Sequence, residues 1–119
     1  MTPAAAAGPY SPIVRAGEWL VVSGQVGVVD GRLVEGGTGA ELAQAVTNLS
    51  ALLDSQGVSL NDVVKTTVFL ADISDYAAMN EVYATAFGDH RPARSAVAVA
   101  ALPLGARVEI EAWARAPGR

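Results

Sequence analysis

Two charged residues sit where charge is expensive. Arg94 opens an apolar stretch in Pro92-Ala-Arg-Ser95, and Glu109 lies in Val108-Glu-Ile-Glu-Ala112, where carboxylates alternate with apolar side chains. An unpaired buried carboxylate is costly, so Glu109 and Glu111 each need a partner. A guanidinium grips a carboxylate through two parallel hydrogen bonds, a geometry lysine does not offer. A glutamate in a poorly solvated pocket has its pKa raised and can pass protons to and from water. Together these two residues suit hydrolysis of a small, reactive, anionic substrate. They would equally make a plain cross-strand or intersubunit salt bridge, which is the commoner outcome for an arbitrary arginine and glutamate.

Competing chemistries have little to work with. The 119-residue chain has no cysteine, one histidine (His90) and one lysine (Lys65), which removes disulfides, thiolate chemistry and any multi-His or Cys metal site. His90, in Gly88-Asp-His-Arg91, reads as a solvated loop residue. Ser23, in Val22-Ser-Gly-Gln25, has no evident His-Asp pair to activate it, so its hydroxyl reads as a hydrogen-bonding group. Glycines 36, 37 and 39 lack the Gly-Lys-Ser/Thr of a phosphate loop and fit turn punctuation. Asn80 and Tyr83 read as a polar flank and a core aromatic of one helix. The net charge is −4, and the arginines are scattered from Arg15 to Arg119, which argues against nucleic-acid binding through a basic patch.

Positioning Arg94 and Glu109 requires a sheet. Trp19 to Gln25 reads as a strand after a turn at Ala16-Gly-Glu18, and Asp30 to Gly39 as a loop or weak hairpin. Thr38-Gly-Ala-Glu41 matches a capping box that starts a helix. Leu42, Ala45, Val46, Leu49, Leu52 and Leu53 then fall on one helical face, and Gly57 is placed to end it in a left-handed turn. Val63 to Leu70 is a strand with apolar residues at both parities, so both its faces look buried. Tyr76, Met79, Tyr83, Ala86 and Phe87 form a second helical stripe between a cap at Ser74 or Asp75 and a stop at Gly88. Ser95 to Ala101 and Arg107 to Arg115 are the last strands. The final one places Val108, Ile110, Ala112 and Ala114 on one face and Glu109, Glu111, Trp113 and Arg115 on the other. If Val97 and Val99 point toward the helices, Arg94 points to the face that carries Glu109.

The pattern predicts an α/β fold, a mixed sheet with two helices packed on one face, in a single domain over residues 1–119. Two helices cover one face only, so the other needs a second copy of the chain, and a homo-oligomer is expected. Hydrophobic residues make up 51% and charged residues 17%, with mean hydropathy +0.32, which excludes a disordered chain. The uncharged apolar stretch from Ser95 to Leu104 is about half of what a membrane-spanning helix needs. The N-terminal residues Met1-Thr-Pro-Ala-Ala-Ala-Ala-Gly8 lack the basic start and apolar core of an export signal, so a soluble, cytoplasmic protein is expected.

Ordered motifs carry a resemblance. Gly8-Pro-Tyr-Ser11, Val22-Ser-Gly-Gln25, Asn48-Leu49, Asp62-Val-Val-Lys-Thr-Thr-Val-Phe-Leu70, Met79-Asn-Glu-Val-Tyr83, Pro92-Ala-Arg-Ser95, Leu102-Pro103 and Val108-Glu-Ile-Glu-Ala112 occur in this order. From about Gly8 to Ala114 the chain resembles the RidA (YjgF) family of reactive imine and enamine deaminases.

The resemblance implies a chorismate-mutase-like fold and a homotrimer whose sheets form a central barrel, with sites between subunits. It implies hydrolysis of 2-aminoacrylate, 2-iminopropanoate or 2-iminobutanoate to 2-keto acids and ammonia, the activity of a 2-iminobutanoate/2-iminopropanoate deaminase, with neither metal nor organic cofactor. On this resemblance the catalytic residues are Arg94, which binds the carboxylate, and Glu109, which activates water. Tyr10, Ser23, Gly24, Asn80 and the backbone at Ala96 line the substrate site. Ala96 stands where many members have cysteine, which excludes thiol chemistry there. The segment Phe87 to Pro92 is shorter than in many relatives and lacks an aromatic before the proline. Two other readings remain: a non-catalytic, carboxylate-binding or chaperone-like trimer, and an endoribonuclease, against which the acidic charge argues.

Overall fold

The computed structural model describes residues 6–117. Residues 1–5, where no export signal is expected, and 118–119 lie outside the described residues. Strands β1 (Ile13–Ala16) and β2 (Trp19–Gln25) form a hairpin turning at Gly17, whose φ of 61° suits a residue without a side chain. The small strands β3 (Val28–Val29) and β4 (Arg32–Leu33) make the weak hairpin expected before the helix. The amide of Asn48 holds that hairpin through the Val26 and Val28 carbonyls at 3.2 and 3.0 Å.

Helix α1 (Gly37–Asp54) follows, then β5 (Val63–Leu70), α2 (Tyr76–Phe87), β6 (Ala93–Ala98) and β7 (Val108–Arg115). The main sheet has the order β1-β2-β7-β5-β6, with β5 and β6 parallel and the other pairs antiparallel. The parallel pair needs a crossover, and α2 supplies it.

One apolar cluster joins both helices to a single face of this sheet. Leu42, Ala45, Val46, Leu49, Leu52 and Leu53 of α1 all enter it, as their spacing predicts, together with Met79, Tyr83 and Phe87 of α2. Val108, Ile110, Ala112 and Ala114 of β7 are the facing layer, each fully buried. The opposite face is open in the single chain. On β5, Val63, Thr66, Val68 and Leu70 are buried, but Val64, Lys65, Thr67 and Phe69 are not, so the strand is buried on one face rather than two. Val97 (44% exposed) and Trp113 (45%) stand on that open face, with Trp19 packed edge-on against Trp113.

The capping box at Thr38 is not formed. Helix α1 starts from Gly36 in a left-handed conformation, without a side-chain cap. The Thr38 hydroxyl instead donates to Asp75 Oδ2 at 2.8 Å, tying the start of α1 to the start of α2. The Glu41 carboxylate, almost wholly buried, accepts from the Arg107 backbone amide at 2.8 Å. Each side chain thereby joins two elements, and a tertiary bond in a buried site outweighs a local one that water would otherwise satisfy. Gly57 lies at φ 78° just beyond α1 and Gly88 ends α2, as expected, whereas Asp75 stands before α2 without a side-chain capping bond.

Candidate functional site

The register of the sheet sorts the two charged candidates. Thr66 of β5 pairs with Arg94 on one side and Ala112 on the other. Thr66 and Ala112 are fully buried beneath the helices, so Arg94 belongs to the helix-covered face. Phe69 likewise pairs with Val97 and Glu109, which share the open face. Arg94 and Glu109 therefore do not meet within one chain. The expectation that they share a face rested on Val97 pointing to the helices, and Val97 points away. Alternating alanine and valine left both faces of β6 apolar, so parity alone could not orient the strand. The strand also begins at Ala93 and ends at Ala98, two to three residues earlier than its composition suggests.

Glu109 lies in a cleft of about 390 Å³ lined by Tyr10, Ser23, Gly24, Pro103, Glu109 and Glu111. The cleft exists because β2 bulges. Val22 pairs with Ala112 but Gln25 pairs with Ile110, so three residues of β2 span the length of two on β7. Gln25 braces the bulge by donating to the Ser23 carbonyl at 3.0 Å. The displaced residues are Ser23 and Gly24, and the Glu109 carboxylate rests over Gly24. A Cβ there would stand 2.6 Å from Glu109 Oε2, so no larger residue fits without moving the acid.

The Ser23 hydroxyl donates to the Ser11 carbonyl at 2.7 Å, and its amide donates to the Pro12 carbonyl at 2.9 Å. Ser23 thus staples the segment that carries Tyr10 to the cleft, in keeping with a hydrogen-bonding hydroxyl.

The far wall is the Pro103–Gly105 turn, where Leu104 adopts φ 61° and ψ 14°. A non-glycine residue in this left-handed region is strained. The buried Glu41 holds the chain just beyond it, at Arg107, and Ala71 donates to the Arg107 carbonyl at 3.0 Å. Glu41 thereby fixes the entry to β7 at Arg107, two residues before Glu109. No spacing in the sequence announces this contact.

Burial raises the pKa of Glu109 above the ordinary carboxylate value, and the neighbouring charge of Glu111 adds to the effect. Among the described residues Glu109 has no ion-pair partner: the ion pairs present are Arg107 with Glu41 and Arg115 with Glu18.

Arg94 is held by neutral groups. Its Nη2 donates to Tyr76 Oη at 3.1 Å, and Nη1 lies 3.5 Å from Met79 Sδ. The guanidinium carbon sits 4.8 Å from the Tyr83 ring centroid and 5.6 Å from that of Tyr76. Tyr76, expected in the core stripe, is instead 42% exposed and faces the arginine. Asn80 follows Met79 on α2, half-buried, and makes no side-chain hydrogen bond to the described residues. Ala96 pairs with Val68 and packs on the core through its methyl group. His90 is half-buried, not solvated: its Nε2 lies 2.6 Å from the Val63 carbonyl, anchoring the loop to β5. The structure thus gathers Tyr10, Ser23, Gly24 and Glu109 in one place, and Arg94 with α2, which carries Asn80, in another.

A larger groove of about 660 Å³ runs between α1 and α2, lined by residues such as Val46, Thr47, Leu60 and Val82. It contains none of the predicted residues and one carboxylate, Glu81, so the smaller cleft is the better candidate on chemical grounds. Among the described residues no three His, Cys, Asp or Glu side chains converge as metal ligands. Among the described residues no helix is long and apolar enough to cross a membrane.

Comparison with known proteins identifies the family and the fold. The family model described as Endoribonuclease L-PSP matches residues 1–116. A mouse (Mus musculus) protein named 2-iminobutanoate/2-iminopropanoate deaminase is 51% identical over 112 residues, covering 92% of this chain and 83% of its own. The crystal structure of RidA from an Antarctic Psychrobacter superposes with a TM-score of 0.90 at 44% identity, over 96% of this chain and 93% of that one. Escherichia coli TdcF, solved with bound serine, gives a TM-score of 0.88 at 36% identity, over 96% and 92% of the two chains.

Proposed function

The chain belongs to the RidA (YjgF) family, and on that premise we propose that it is an imine deaminase, hydrolysing reactive 2-imino acids such as 2-iminopropanoate and 2-iminobutanoate to 2-keto acids and ammonia. The observation that carries this reading is a pair of unsatisfied charges. Among the described residues Arg94 has only neutral partners and Glu109 has no basic one, and they stand on opposite faces of one sheet. The two border one cleft, with the substrate between them, when the open face of one copy packs beside the β6 edge of the next.

That arrangement is a homotrimer of the chorismate-mutase-like kind, with the three open faces forming a barrel and one site in each cleft between subunits. The exposed Val97 and Trp113 favour it, because apolar side chains on a sheet face call for cover. The names of the relatives, and the serine bound to TdcF, support a small amino-acid-like ligand.

In the reaction, Arg94 of one subunit takes the substrate carboxylate through paired hydrogen bonds. A water beside Glu109 of the neighbour attacks the iminium carbon, and the Glu109 carboxylate accepts the water's proton. The proton then passes to the carbinolamine nitrogen, the C–N bond breaks, and the hydroxyl proton travels through Glu109 to the departing ammonia. The products are a 2-keto acid and ammonium. A raised pKa makes Glu109 a stronger base than an ordinary carboxylate. Gly24 gives the acid its seat, Ser23 and Tyr10 shape the wall, and Asn80 and the Ala96 backbone border the carboxylate from the Arg94 side. An iminium carbon is already electrophilic, so no protein nucleophile is needed.

The endoribonuclease wording of the family model finds no support in a chain of net charge −4 with dispersed arginines. Removal of imines released by a threonine dehydratase, with semicarbazide as the competing trap, tests the reading. The protein is expected to depress the semicarbazone signal and Arg94→Ala to restore it. An Arg94→Ala protein as active as the parent would overturn the assignment.

A further inference from the structure

Resting on the assignment of Arg94 to the substrate carboxylate, we propose that Tyr76 and Tyr83 are positioning residues, an aromatic clamp that presets the Arg94 guanidinium for anion capture without neutralising it. An arginine on an edge strand has a long, flexible side chain that must be fixed before it can grip a carboxylate in two-point geometry. Proteins commonly fix such a group with an acid. An acid here would cancel the charge that the substrate needs.

The partners of Arg94 avoid that conflict. Two ring faces attract the cation through their quadrupoles, at 4.8 Å for Tyr83 and 5.6 Å for Tyr76. Tyr76 Oη takes one proton of Nη2, and the Met79 sulfur lies beside Nη1 as a weak acceptor. A guanidinium has five N–H groups, so donors remain for a paired grip on an incoming anion.

The clamp is itself anchored. Tyr83 is buried, stacks on Phe87 with centroids 4.5 Å apart, and shares a 2.7 Å hydrogen bond with the hydroxyl of Thr66. Thr66 is the residue that pairs with Arg94 in the sheet, so tyrosine and arginine are referenced to the same backbone row. Burial raises the Tyr83 phenol pKa, against smaller opposing effects of Thr66, Arg94 and Arg91, so no phenolate competes with the substrate. Tyr76 begins α2 beside Asp75, whose carboxylate accepts from Thr38, and its ring sits at the exposed rim.

The test pairs pyruvate titration calorimetry with steady-state kinetics on enzymatically generated 2-iminobutanoate. Tyr76→Leu removes ring and hydroxyl at an exposed position and is expected to weaken pyruvate binding about 3- to 10-fold, with KM rising in step and kcat within about twofold. Tyr76→Phe keeps the ring and should lose about 2- to 3-fold, and it carries the test if the leucine variant does not fold. In an Arg94→Lys background Tyr76→Leu should change pyruvate affinity by less than about twofold, because the group it positions is gone. Parent-like affinity of Tyr76→Leu, or the same loss in both backgrounds, overturns the clamp while leaving the function intact. Parent-like pyruvate affinity in Arg94→Ala overturns the carboxylate assignment and the clamp with it.

Discussion

Arg94 and Glu109 stand on opposite faces of the same sheet, with β5 between their strands: the row Arg94, Thr66, Ala112 faces the helices, and the row Val97, Phe69, Glu109 faces away. No rotamer of either side chain crosses a hydrogen-bonded sheet. A site that uses both must draw them from two copies of the chain, and this gives a sharp complementation test. Arg94→Ala and Glu109→Gln should each be inactive as pure proteins. Refolded together at equal amounts, random cyclic trimers should recover about a quarter of parental activity, since one site in four pairs an intact Arg94 with an intact neighbouring Glu109. No recovery in mixed trimers verified by native mass spectrometry would show that the two residues do not act in one shared site.

The open face should be an interface. Light scattering is expected to give about three times the 12.2 kDa chain mass. Val97→Asp puts a charge where apolar surface is to be buried, and should shift the mass toward one chain and abolish activity. A parent that runs at the single-chain mass at micromolar concentration would refute the barrel.

Gly24→Ala should cripple catalysis with little effect on carboxylate binding. The added methyl would stand 2.6 Å from Glu109 Oε2, so the acid must move off its seat. A displacement of that size is expected to lower kcat about 100-fold with pyruvate affinity near the parent's. Loss of pyruvate binding instead of turnover would show that Gly24 serves the ligand rather than the acid.

Glu109 should leave a signature in stability as well as rate. Its folded pKa lies above the unfolded value, through burial first and Glu111 second. The folded state therefore binds this proton more tightly, and ionised Glu109 opposes folding. The penalty is fully present above the folded pKa, shrinks as pH falls through it, and vanishes below the unfolded carboxylate value of 4.5. Glu109→Gln is expected to be more stable than the parent at pH 7, with thermal midpoints converging toward pH 4. The parent's kcat should fall on the acid side with an apparent pKa above 4.5. A stability gap that widens in acid would contradict the raised pKa.

Much of this molecule was legible before any tertiary contact was known. Residues at helical spacing in α1, from Leu42 to Leu53, declared their buried face because a period of 3.6 has one solution on an apolar layer. The strict alternation of β7 declared its two faces for the same reason with a period of two, and so placed Glu109 on the uncovered side. The capping box failed because Thr38 and Glu41 found partners 37 and 66 residues away, at Asp75 and Arg107. Local pattern carries no information about such partners.

The sequence by itself determined both helices, the strands β2, β5 and β7, the two faces of β7, and the residue types able to do the chemistry, since periodicity and composition are local properties that burial reads directly. Only the tertiary structure decided that β6 turns Arg94 toward the helices, that β2 bulges to seat Glu109 over Gly24, and that Tyr76 leaves the core for the arginine. The reason is physical. An edge strand of alternating alanine and valine is equally apolar on both sides, so its orientation follows from pairing with β5, and a bulge is a mismatch in length between two strands distant in sequence.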